Sequence, residues 1–335
     1  MRCLLALLGP LLGAGCQPDL GPRSAQAHAG QCASCHPVQA EAFTTSRHAN
    51  ADGSPLFQAL RAESPDPAVC DGCHVPEGSW SCLTCHAAAG NQRTADGLLL
   101  SDPTGPVRGP TGHEDEAPHA SVLGRFLTDS ALCGTCHEQE GDGAFHEQPY
   151  RRWRESEAAA RGERCQDCHM SPTPGAAAPR PTGPVARGAD DVPLADHGFV
   201  GLQRDPLALL RAGLALEATS TGVRLVNHAG HALPDGAAFT RELWLEGRTA
   251  DGAWTGEVHR LHPRLLDTQG RPTEDPFAAE RVEMRALLPD EAREVPFAAA
   301  EVCLRYRPVA ASLAAREDVQ TEELVVGCVR RQEPR

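Results

Sequence analysis

Lysine and isoleucine are absent from this 335-residue chain, so every basic side chain other than histidine is arginine. That bias reads as coding composition and carries no function by itself. Aromatic residues make up only 4% of the chain. A globule of this length, long enough for two domains, normally fills its core with more of them. Methionine is reduced to three residues and tyrosine to two. No segment runs eighteen residues without a polar interruption, which excludes an expected transmembrane helix. Positive charge is also in deficit, with a net charge of −14, which argues against a nucleic-acid partner.

What is present is cysteine and histidine in a fixed pattern. Five Cys-x-x-Cys-His motifs occupy the first half of the chain. They are Cys32/Cys35/His36, Cys70/Cys73/His74, Cys82/Cys85/His86, Cys133/Cys136/His137 and Cys165/Cys168/His169. Each is a c-type haem attachment signature. Two thiols form thioethers to one porphyrin, and the adjacent imidazole becomes a proximal iron ligand. Ten of the 14 cysteines are used this way. The expected cofactors are therefore five covalently attached haem c groups. Their apolar bulk would replace the missing aromatic volume, and the domain holding them should not fold without them. The spacings of 38, 12, 51 and 32 residues between first cysteines exclude a fixed-period repeat. Only seven residues separate His74 from Cys82, so motifs 2 and 3 lie within about 25 Å of each other.

The N-terminus reads as an export signal: Arg2, then an apolar run from Leu4 to Leu12. Two cleavage readings stand. Leu12-Gly13-Ala14-Gly15-Cys16 resembles a bacterial lipobox, with Leu one position early, and makes residues 1–16 a lipoprotein signal with a lipid anchor on Cys16. Ordinary cleavage after Ala27 is the other. Both deliver the chain to an oxidising compartment, the periplasm or outer membrane of a Gram-negative bacterium.

The expected fold class is α+β. Residues 28–204 read as a mostly irregular, short-helix domain organised around cofactors, with one clear helical patch from Tyr150 to Arg161. Residues 94–118 and 171–193 read as loops. From residue 205 to 335 short alternating segments suggest an all-β, sandwich-like domain. These are Leu214 to Glu217, Val223 to Val226, Glu242 to Glu246, Val282 to Leu288, Val302 to Tyr306 and Leu324 to Val329. Cys303 and Cys328 fall on the last two and are expected to form a disulfide.

Of 15 histidines, five are in the motifs and ten remain, twice the number five distal positions need. Met170 adjoins His169 and is badly placed for that iron. Ligation should be mostly bis-histidine, at lower potential than His/Met haems. The flanking residues now point to a family. Phe43-Thr-Thr-Ser46-Arg47-His48-Ala49, Pro118-His119-Ala120, Tyr150-Arg-Arg-Trp153 before Cys165-Gln-Asp-Cys168-His169-Met170, His197-Gly198-Phe199-Val-Gly201 and Gly230-His231-Ala-Leu-Pro234 together resemble multihaem cytochromes of the c-554 type. These are related to multihaem hydroxylamine oxidoreductase and nitrite reductase cytochromes, and the resemblance covers roughly residues 30–245. It implies His48, His119, His197 and His231 as distal ligands, with His231 reaching back from the β-domain. For the fifth position His113, His228 and His28 compete, and His113 is the one adopted. His146, His259 and His262 read as surface histidines.

Two functional classes survive. In the first, the chain is an exported pentahaem electron carrier passing electrons between other redox proteins, anchored to the membrane surface through Cys16. In the second, one haem keeps an open position and acts on a small nitrogen or sulfur compound. No motif shows the Cys-x-x-Cys-Lys variant of many pentahaem nitrite reductases, and histidine is plentiful. These facts favour the carrier, with no catalytic residue assigned.

Overall fold

The computed structural model describes residues 32–34, 36–93, 99–101, 105–110, 121–139, 143–171, 195–200 and 207–330. The signal segment with Cys16, and Cys35, His28, His113 and His119, lie outside the described residues.

The N-terminal part is a string of short helices, as the scarcity of long apolar periodicity implies. They are α1 (Pro37–Thr44), α2 (Pro55–Glu63), α3 (Pro67–His74), α4 (Cys82–His86), α5 (Ser130–Gly134), α6 (Pro149–Arg154), α7 (Glu157–Ala160) and α8 (Cys165–His169). Proline opens four of them at the first turn, where its missing N–H costs nothing. Two short ladders, β1 (Ala88–Arg93) with β2 (Leu99–Ser101) and β3 (Val107–Gly109) with β4 (Ser121–Leu123), lie between the helices.

The C-terminal part begins with α9 (Ala208–Gly213) and runs β5 (Leu214–Ala218), β6 (Gly222–Asn227), β7 (Glu242–Arg248), β8 (Trp254–Leu261), β9 (Arg264–Leu266), β10 (Arg281–Glu283), β11 (Ala292–Pro296), β12 (Glu301–Arg307), α10 (Ala311–Arg316) and β13 (Leu324–Arg330). A three-stranded sheet, β11-β6-β5, faces a four-stranded sheet, β13-β12-β7-β8. Val223, Leu225 and Val295 of the first meet Leu243, Leu245, Leu261, Leu304 and Tyr306 of the second in one buried cluster. Each fully buried side chain there is worth about 1.5–3 kcal/mol of transfer free energy. Cys303 pairs directly opposite Cys328 on β12 and β13, and the two form a disulfide. The molecule is thus α+β.

A second cluster joins the two parts. Leu60 of α2 and Ala144 pack with Phe239, Leu265, Ala310 and Leu313. The β-sandwich is therefore a wall of the N-terminal part as well as a unit with its own core.

Three local expectations are corrected. The single helix from Tyr150 to Arg161 is broken after Arg154, because the Ser156 hydroxyl accepts from Ala159 N and starts a new helix. The segment from Val282 to Leu288 is a strand only as far as Glu283; beyond it, Leu287 makes an isolated bridge to Leu233. Strands β8, β9 and β11 went unread, and β2 and β3 fall within residues 94–118, read as a loop; β8 is almost entirely solvent-exposed and lacks the alternation of a half-buried strand.

Candidate haem sites

Among the described residues each motif is built on one helical turn, and its own sequence makes that turn. His137 N donates to Cys133 O at 2.8 Å, and His36 N to Cys32 O at 2.8 Å. A first cysteine at i, a second at i+3 and a histidine at i+4 share one helix face, so two thiols and an imidazole address the same body. The turns are capped locally. Asp66 accepts from Ala68 N ahead of α3, and Asp129 from Ala131 N ahead of α5. The Ser81 backbone N–H donates to the Thr84 hydroxyl ahead of α4, and the Arg164 N–H to Asp167 ahead of α8. Capping of this kind is worth about 1 kcal/mol per turn.

Tertiary structure then places a second imidazole opposite three of the five motif histidines. His86 and His197 have ring centroids 6.2 Å apart with planes 19° from parallel. His169 and His231 repeat those values, 6.2 Å and 19°. His48 and His137 stand 6.1 Å apart with planes at 82°. Two imidazoles on opposite sides of one metal, each nitrogen about 2 Å from it and each ring centre about 1 Å further back, have centroids about 6 Å apart. All three pairs have that spacing, which is too wide for stacking contact between the rings themselves.

The ring nitrogens are oriented to match. Nδ1 of His86 donates to the Arg108 carbonyl at 2.6 Å, Nδ1 of His197 to Ala195 O at 3.0 Å and Nδ1 of His231 to Ala232 O at 2.9 Å. A carbonyl accepts only, so these bonds fix the proton on Nδ1 and leave the Nε2 lone pair free. A ring N–H of His169 donates to the Val200 carbonyl. Burial, aided by neighbouring imidazoles, pushes His48, His137 and His169 down to about 4, and it lowers His197 and His74 as well. Neutral imidazole is the form a metal needs.

The residues fit a porphyrin iron better than a protein-only metal site. Among the described residues no cluster of three or more His, Cys, Asp or Glu is arranged to hold an ion. Two opposed imidazoles alone are too few for structural zinc, which takes four protein ligands. They suit an iron whose other four ligands come from a macrocycle. Nine motif cysteines are described, and none is in a disulfide.

The motif turns also touch one another. The Cys32 thiol hydrogen-bonds with Cys82, and the contact lowers Cys82 to about 7. The Cys133 thiol does the same with Cys165, again lowering the partner to about 7, and it also feels Cys85. His74 lies within electrostatic reach of His48 and His137. Motif 1 therefore adjoins motif 3, and motif 4 adjoins motifs 2, 3 and 5.

Other residues hold these sites; Phe57 and Trp80 were not singled out in the sequence, and Phe199, Tyr150 and Asn227 belong to or adjoin the elements that carry the resemblance. Phe57 stacks on His74 at 4.4 Å, and Trp80 and Phe199 flank His48 at 4.7 and 4.4 Å. Trp80 Nε1 donates to Cys73 O, tying motif 2 to the linker before motif 3. The Tyr150 ring covers Gly134 so closely that a Cβ there would sit 2.6 Å from it. The loop bearing His231 hangs on Asn227, whose Nδ2 lies 2.9–3.0 Å from the carbonyls of His231, Leu287 and Leu288. The remaining described histidines take no part. His262 bonds the Arg241 carbonyl, His259 lines a shallow pocket with Met284 and Arg293, and His228 and His146 face none of the motif rings.

No helix among the described residues is long and apolar enough to cross a membrane. The chain matches no family model and no curated protein sequence. Among solved structures, a penta-heme cytochrome c552 from Thermochromatium tepidum superposes with a TM-score of 0.68, covering 90% of this chain and 97% of that one at 21% identity. At that identity the likeness establishes a shared fold.

Proposed function

We propose that this chain is an exported pentahaem c-type cytochrome that conducts electrons between other redox proteins. The observation that carries the reading is the set of three imidazole pairs at one common spacing, each pair ending on a Cys-x-x-Cys-His turn. The five cysteine pairs, Cys32/Cys35, Cys70/Cys73, Cys82/Cys85, Cys133/Cys136 and Cys165/Cys168, would hold five haems. Haem iron, when bound, supplies reversible one-electron chemistry. The chain's own residues do the rest. His48 and His137, His86 and His197, and His169 and His231 would close both axial positions at three sites and leave no room for substrate. His119 and one of His113 and His28 are the candidates for the other two, beside His36 and His74. Nδ1–H bonds to backbone carbonyls hold the rings in place, Phe57 covers His74, and Trp80 and Phe199 shield His48. The contacts between motif turns run 1–3–4–5 with 2 beside 4, an order suited to short electron hops.

The test is spin-state spectroscopy on protein with counted haems. Five haems per chain, all low-spin in the ferric form, are expected. A high-spin ferric signal equal to one haem per chain would defeat the pure carrier. It would support the oxidoreductase reading, with an open iron at the His36 or His74 turn. Export and a lipid anchor on Cys16 are part of the proposal: Cys16→Ala should release the protein to the soluble fraction, and unchanged membrane association would reject the anchor.

A further inference from the structure

One opposing imidazole is held differently from the rest. His86, His197 and His231 each give Nδ1–H to a backbone carbonyl, and His169 gives a ring N–H to the Val200 carbonyl. Nδ1 of His48 is buried and has no hydrogen-bond partner among the described residues. Packing fixes that ring instead. Trp80 lies against it at 4.7 Å with the planes 49° apart, and Phe199 meets it edge-on at 4.4 Å and 70°.

Both aromatic rings are themselves pinned. Trp80 Nε1 donates to the Cys73 carbonyl at 2.9 Å, so the indole cannot swing away with His48. Phe199 takes φ +49°, in the left-handed region that a bulky side chain rarely adopts. Such a backbone persists only where its surroundings impose it, and here it sets the phenyl ring against His48. The result is visible in the ring planes. His48 stands at 82° to His137, whereas the two pairs whose rings are tied to carbonyls stand at 19°.

We propose that Trp80 and Phe199 are positioning residues that hold His48 crosswise to His137 and away from any carbonyl, which makes the site of Cys133 and Cys136 the most readily reduced of the three paired sites. This rests on the pentahaem reading above. A ring N–H given to a carbonyl makes the imidazole a more basic ligand, and a more basic ligand stabilises ferric iron. Hydrogen bonding behind the axial ligand is one of the levers that set a haem's potential. His48 lacks that bond, so it donates less and favours the ferrous state. Reduction there takes one electron from a partner redox protein and leaves the His48 Nδ1 proton in place. Motif 4 adjoins motifs 2, 3 and 5, so electrons entering at any of these would collect at it.

The experiment is a reductive potentiometric titration of the full holoprotein followed by paramagnetic resonance, with haem counted by pyridine haemochrome. The low-spin ferric signal abolished by His48→Ala marks the site, and His197→Ala and His231→Ala mark the other two. In the wild type the His48 signal should be lost first. Its reduction equilibrium should be about tenfold more favourable than at the other two sites, equivalent to about 59 mV for one electron. Trp80→Leu and Phe199→Leu free the ring, so the signal should move toward the shape of the other two and its lead should shrink. Trp80→Phe keeps an aromatic face and should preserve both. A His48 signal lost with or after the others, or leucine variants with five haems and an unchanged signal, would overturn the proposal and leave the carrier reading intact. If the leucine variants lose haem, the order of reduction in the wild type decides alone. A wild-type chain without five haems, or a His48→Ala variant that keeps every signal, would instead overturn the reading on which the proposal rests.

Discussion

Asn227 should be the most sensitive polar residue outside the motifs. It is fully buried at the end of β6. Its Nδ2 serves the carbonyls of His231, Leu287 and Leu288, and its Oδ1 accepts from Ala229 N at 2.8 Å. Asn227→Ala removes two N–H donors and one acceptor and leaves buried backbone groups unsatisfied. At about 1 kcal/mol per lost bond the total is about 3 kcal/mol, a large part of the 5–15 kcal/mol by which domains are stable. The loop from His228 to Pro234 and the Leu287–Leu288 segment bridged to it lose their common anchor, so the effect should centre on His231. Chemical denaturation of the holoprotein measures the stability change, and ferric-haem spectroscopy follows the His169 site. Asn227→Asp should be worse than alanine, and increasingly so as pH rises, since an ionised carboxylate would face three carbonyls. A loss below about 1 kcal/mol for Asn227→Ala, with the spectrum unchanged, would refute the argument.

Gly230→Ala should displace His231, because a Cβ there would lie 2.8 Å from Trp153 Cδ1 and 3.3 Å from Ala158 Cβ; the check is a change at one haem while four keep their spectra. Glu147 is raised to about 6 against an ordinary value of 4.5, so the folded state binds more proton than the unfolded one between those values. Stability from this group is present below about 4.5 and is lost as pH rises through about 6. Glu147→Gln should therefore stabilise by about 1–2 kcal/mol at pH 7.5 and by nothing at pH 4, measured as paired denaturation curves. The 82° angle between His48 and His137, against 19° in the other two pairs, predicts one low-spin paramagnetic resonance spectrum of larger anisotropy beside two similar ones. His48→Ala should abolish that spectrum alone; survival of all three would remove His48 from the ligand set. Expression without haem attachment should yield an N-terminal part lacking stable structure, read by proteolysis.

The α+β class, the five attachment turns and the opposed Cys303 and Cys328 were all legible in the sequence. Thioether attachment requires two thiols and an imidazole within one helical turn, so linear spacing alone determines it. The start of the helical patch at Tyr150 and strands β5, β6, β7, β12 and β13 were legible for the same local reason: their side-chain periodicity is written in consecutive residues. The break at Ser156 and the exposed strand β8 were not, because one is decided by a hydroxyl competing for backbone and the other by a neighbouring strand. Histidines opposite the motifs were visible only as a surplus. Which motif each one meets depends on how loops 45–54, 195–200 and 228–234 fold over the turns. His197, Phe199 and Val200, within four consecutive residues, serve three different motifs. That arrangement comes from packing across long sequence separations, as with Asn227 tying the His231 loop to Leu287 and Leu288. The chain's local chemistry thus determined what it binds, and tertiary structure alone decided the pairing of imidazoles and the neighbours of each site.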